Sequence, residues 1–138
     1  MNMTTIRQFK ANYERIVALI PNIENMKPGD AGKLTAGGFM DLHYDALARR
    51  PNRLDIALAH YYKQNGDSVP DPDMRIWLDL EKKMALPMAM QDFLGYRECI
   101  DENDRVRTKE LDRQSAFLSQ WLRNLKAQGH TLANHEAA

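Results

Sequence analysis

The chain has 138 residues, enough to bury a core as one domain without disulfide or metal staples. Its 19 lysines and arginines balance 19 aspartates and glutamates, so no net charge draws it to phosphate backbones or anionic lipid. The single cysteine, Cys99, excludes an intrachain disulfide and a thiolate zinc cluster, and a reducing cytoplasm is the expected compartment.

The first predicted element is a helix over residues 5–20. Ile6, Phe9, Tyr13, Ile16, Val17 and Ile20 recur at helical spacing, Thr5 and Gln8 have the spacing of a capping box, and Pro21 ends the ladder near Leu19. Residues 22–38, with Pro28 and four glycines, read as a loop. From residue 39 the period changes to alternation. Met40, Leu42 and Tyr44 oppose Phe39, Asp41, His43 and Asp45; Leu54, Ile56, Leu58, His60 and Tyr62 oppose Asp55, Ala57, Ala59 and Tyr61. Met74, Ile76, Leu78 and Leu80 oppose Arg75, Trp77 and Asp79, and a fourth segment alternates around Met84, Leu86, Met88 and Met90. Four such segments with short connections predict a four-stranded antiparallel meander over residues 39–96. Pro87 makes its last strand an edge or a bulged strand. A second helix is predicted over 108–128, with Leu111, Phe117, Leu118, Trp121, Leu122 and Leu125 on one stripe and Gly129 as its cap. Residues 130–138 read as a frayed tail. The expectation is a single α+β domain, two-layered, with an N-terminal and a C-terminal helix packed on the Leu/Ile/Met face of the sheet. No apolar run is long enough to span a bilayer, and the opening MNMTTIRQFK lacks the pattern of a secretion signal.

The stretch LAHYYKQNGDSVPDPDM concentrates polar groups. Asn65 and Gly66 tolerate positive φ and mark a hairpin turn. Asp67, Asp71 and Asp73 are placed on its solvated loop, kept extended by Pro70 and Pro72. Their spacing does not match a calcium loop. His43 and His60 fall on opposite faces by alternation, so they do not share a metal. Asp92 in QDFLGYREC reads as the cap of a turn at Gly95–Tyr96. No nucleophile elbow, phosphate-cradling loop or zinc-hydrolase motif occurs, and no cofactor or metal is expected.

The second sheet face carries Phe39, His43, Tyr61 and Trp77 around small alanines, the composition of a docking patch with aromatic anchors. Arg49, Arg50 and Arg53 form a compact basic cluster suited to a phosphate or an acidic partner.

The segments ALAHYYKQNGDSVPDPDM and LPMAMQDFLGYRECI resemble a bacterial domain of unknown function carried by plasmids, phages and integrative elements. The resemblance rests on His60, Tyr61, Asn65, Gly66, Asp67, Asp71, Pro72, Pro87, Asp92 and Gly95. The element order and FLSQWLRNLKAQG are more loosely similar to the YqiB-like family. Neither resemblance implies a reaction, a cofactor or catalytic residues. The leading expectation is a non-enzymatic protein-binding module, regulatory or inhibitory toward another bacterial protein, acting through Phe39, His43, Tyr61, Trp77 and the Asp67, Asp71 and Asp73 hairpin. Self-association through the sheet is included in that expectation. The alternatives are a nucleic-acid-binding accessory protein using Arg49, Arg50 and Arg53, and a hydrolase or metal-dependent enzyme using His60 with Asp67 or Asp92.

Overall fold

The structure, a computed structural model, describes residues 2–133. Helix α1 spans Met3–Leu19, and a single 3-10 turn follows at Ile23–Asn25. Strands β1 (Ala31–Thr35), β2 (Leu42–Arg50), β3 (Arg53–Gln64), β4 (Asp67–Asp79), β5 (Met84–Asp92) and β6 (Gly95–Glu98) come next. Helix α2 spans Thr108–Ala127 and β7 spans Thr131–Leu132. The strands form one seven-stranded sheet in the order β6-β5-β4-β3-β2-β1-β7, every pair antiparallel.

The α+β class with two flanking helices holds, but the four-stranded meander does not: the sheet has seven strands. The four alternating segments are its centre, β2 to β5. The three additional strands are short. β1 lies in the glycine-rich stretch expected to be a loop, and its sequence AGKLT alternates too little to show a face. β6 has four residues and β7 only two. Strands this short are made by the partner that offers a free edge, which local pattern does not reveal. The expected tail is likewise corrected over residues 130–133. His130 and Ala133 are buried, and Thr131 and Leu132 pair with Thr35 and Leu34. The remainder of that tail, 134–138, lies outside the described residues.

Local chemistry sets the element ends. Asn2, not Thr5, caps α1: its side chain accepts the Thr5 amide at 2.9 Å. The capping-box spacing was therefore displaced by one turn, and Pro21 follows the helix end as expected. Asn65 and Gly66 both take positive φ, +54° and +88°, so the β3–β4 turn is two residues long. Asp67, Asp71 and Asp73 consequently lie within β4 rather than on a loop. Pro87 pairs with Ile76 just beyond a register shift in β5, the bulge its missing N–H requires. After α2, Gly129 at φ +85° reverses the chain, and the His130 amide donates to the Leu125 carbonyl at 3.1 Å.

The core lies between the helices and one face of the sheet. Leu54, Ile56, Leu58, Met74, Ile76 and Leu78 are fully buried there. They pack with Ile16 and Ile20 of α1 and Leu118, Leu122 and Leu125 of α2. The two helices run in the same direction. Asn12 donates to the Ser115 carbonyl at 3.2 Å, and one turn further on Arg15 donates to the Ser119 hydroxyl, also at 3.2 Å. Phe9, Cys99 and Leu111 form a small second cluster with Met84 and Leu86. Among the described residues no helix is long and apolar enough to cross a membrane.

Candidate functional site

Directly paired residues of antiparallel strands share a face, so the register assembles the side of the sheet opposite the helices. One row runs His43, Ala59, Asp73, Gln91, Tyr96 across five strands. The next runs Asp45, Ala57, Arg75, Ala89, Glu98. The alanines are buried beneath their longer neighbours, which gives a shallow polar surface with aromatic groups at its margins.

A register shift between Ala59 and Tyr61 changes what His60 and Tyr61 meet. Tyr61 stands against the edge of the His43 ring, centroids 5.1 Å apart, and opposes Pro70. His60 instead turns to the helix layer. Its Nδ1–H donates to the Asp41 carbonyl at 2.9 Å, and its Nε2 accepts the Trp121 indole N–H at 2.9 Å. Burial lowers the pKa of His60; the neighbouring His130 and His43 add to this, while the Asp41 carbonyl opposes it. This neutral, doubly bonded ring is a structural link between β3 and α2. Asp92 is bound by Arg97, and Asp67 stands exposed beside the two-residue turn. No hydrogen bond joins His60 to Asp67 or Asp92. Among the described residues no three His, Cys, Asp or Glu side chains gather as a metal site. Cys99 is buried, and burial pushes its thiol up to about 12, far from the thiolate a nucleophile needs.

The other expected contact residues are dispersed. Trp77 is half-buried beneath the Arg53 guanidinium, 3.8 Å from the ring centroid, and Arg53 is also paired with Asp55 at 2.8 Å. Arg49 donates to the carbonyls of Glu24 and Met26, so of the three arginines only Arg50 is exposed without such a bond. Phe39 is exposed near the His130 ring, in the segment between β1 and β2. Asp73 is paired with Arg75 at 3.2 Å, and Asp71 is half-buried in β4.

The most exposed apolar residues form a feature that sequence reading passed over. Phe93 is 81% and Leu94 71% exposed, at the two-residue turn between β5 and β6, and Tyr96 beside them is 58% exposed. Hydrogen bonds fix this turn. The Leu94 amide donates to Asp92 at 2.9 Å, and Arg97 forks onto both Asp92 oxygens at 3.0 and 3.1 Å. The Arg97 guanidinium beside Asp92 holds that carboxyl below its ordinary range. Arg97 also faces Glu110 at 3.5 Å, and its carbonyl accepts from Gln114, which ties the hairpin to the first turns of α2. The Asp92 cap of the turn had been expected, although Gly95–Glu98 continues as a strand. The available signal was the Phe-Leu pair between Asp92 and Gly95, where a hairpin turn ordinarily carries polar residues. Beside the turn, Pro70, Asp73, Arg75, Gln91 and Tyr96 enclose a hollow of about 350 Å³.

Comparison with curated proteins and with solved structures yields no match. A family match does exist, and it covers α1 from its middle through the sheet and α2 to the start of β7. Over residues 11–131 the chain matches the domain of unknown function DUF6908, and it belongs to that family.

Proposed function

We propose that this chain is a protein-binding module that docks through the β5–β6 hairpin tip and the adjoining open sheet face. The observation that carries this reading is the exposure of Phe93 and Leu94 on a turn tied down by the Asp92–Arg97–Glu110 ion pairs. Large apolar side chains in water are unfavourable for a lone chain, and aromatic anchors surrounded by polar groups are the usual energetic centre of an interface. A turn already held in one conformation loses little entropy on docking. Tyr96 and Tyr61, with Asp73 and Arg75 between them, supply the polar rim. The partner is taken to be another bacterial protein that the docking regulates or inhibits. Nucleic-acid binding has less support, because Arg49 and Arg53 are engaged within the fold.

A photo-crosslinking residue at Phe93 should capture one partner in the native host, whereas the same residue at Glu102 should not. Phe93→Ala with Leu94→Ser should weaken the isolated complex by at least tenfold, yet change the stability of the free chain by no more than ~0.5 kcal/mol. Equal capture from both positions, or unchanged affinity in the double variant, would reject the hairpin as the docking element.

A further inference from the structure

Because α1 and α2 are parallel, their C-terminal ends lie together. A groove of about 640 Å³ opens there, floored by Ala18, Leu19, Leu122 and Leu132. Its size falls within the roughly 300–1,000 Å³ range of small-molecule pockets. Arg15 and Arg123 both line it, and both donate to the same buried hydroxyl, that of Ser119, at 3.2 and 2.8 Å. Two guanidinium groups are therefore held within a few ångströms of each other by neutral oxygens alone, Arg15 also donating to Asn12 Oδ1 at 2.9 Å and Arg123 to the Ser119 carbonyl at 3.3 Å. Neither forms an ion pair with a carboxylate among the described residues. Lys126 adds a third cation at the rim and Glu14 one anion. Each helix C-terminus contributes about half a negative charge. The local balance is close to one positive charge, which suits a monoanion better than a doubly charged group.

We propose that this groove binds an amphipathic carboxylate, its head between Arg15 and Arg123 and its chain on the apolar floor. The planar fork of a guanidinium matches a carboxylate in two parallel hydrogen bonds, and displacement from Ser119 leaves that hydroxyl free to donate to the same head. The chain replaces water over alanine and leucine side chains, where burial of apolar surface is favourable. This site lies on the helix layer and is independent of the hairpin interface proposed above.

Calorimetric titration of the full chain with sodium decanoate tests the site, with decanol and sodium acetate as probes of the chain alone and the head alone. Decanoate should bind at least tenfold more tightly than either. Arg15→Ala with Arg123→Ala should reduce decanoate affinity at least tenfold. Ala18→Trp, which fills the groove and leaves every charge in place, should do the same, so the site stays testable if the double variant is poorly folded. Lys63→Ala, on the β3–β4 hairpin, should have no effect. Decanol binding as well as decanoate, decanoate binding that survives Ala18→Trp, or no heat with decanoate would each overturn the proposal.

Discussion

His60 illustrates how a residue that resembles a catalytic group becomes part of the scaffold. Its Nε2 accepts the Trp121 indole N–H and its Nδ1–H is bound to a carbonyl, so only the neutral ring satisfies both partners. Protonation would turn an N–H toward the indole N–H. Burial acts in the same direction by disfavouring the charged ring. The folded pKa is therefore below the ordinary value of 6.5, and the unfolded chain binds more protons between the two. The stabilisation is fully present above pH 6.5 and is lost as the pH falls toward the folded pKa. We expect the thermal midpoint to drop between pH 7 and pH 5, and His60→Gln to flatten that slope. A variant with the slope of the parent chain would assign the effect to other groups.

At the scale of elements, the β5–β6 hairpin depends on one arginine. Arg97 joins the turn at Asp92, the backbone at Gly95 and the helix at Glu110. Its side chain is 24% exposed and that of Asp92 12%, so the pair is more shielded from solvent than an ordinary surface bridge. Arg97→Ala removes three contacts and leaves Asp92 without its fork. The expected loss is ~1–3 kcal/mol. Amide exchange at Leu94 should accelerate by at least tenfold, because its N–H partner Asp92 is no longer oriented. Unchanged protection at Leu94 would show that the turn stands without the arginine.

Across the whole molecule, the helices and sheet share one continuous core, so they are expected to unfold together. A polar link crosses that core between the helices. Asn12, fully buried, donates to the Ser115 carbonyl and accepts from Arg15 at 2.9 Å. Asn12→Ala removes the side-chain bond to the Ser115 carbonyl and the acceptor of Arg15 and leaves a small cavity between the helices, and should lower the urea midpoint by an amount equivalent to ~1–3 kcal/mol while keeping a single transition. Two separated transitions would mean that α1 can detach from the rest.

The legibility of the chain follows from the range of the interactions involved. Both helices and the central strands could be read because their signals are local: apolar stripes in α1 and α2, alternation in β2 to β5. The turn at Asn65–Gly66 and the bulge at Pro87 were legible for the same reason, since each reflects what one residue's backbone can do. The open-face surroundings of His43 and Tyr61 were partly legible, because alternation separated them from Leu58. Phe93 and Leu94 were visible as letters, but their exposure depends on how Arg97 holds the turn.

What the amino-acid order determined by itself was the period of each long segment and hence which face is apolar. That follows from geometry within a few residues. Only the tertiary structure decided that Ala31–Thr35, Gly95–Glu98 and Thr131–Leu132 are strands, because each needs a free edge supplied by residues elsewhere. It alone decided that His60 meets Trp121, and that Arg15 reaches the Ser119 hydroxyl beside Arg123, since those two pairs are 61 and 104 residues apart. Contacts closed over such distances depend on how the whole core packs, and no local pattern records that.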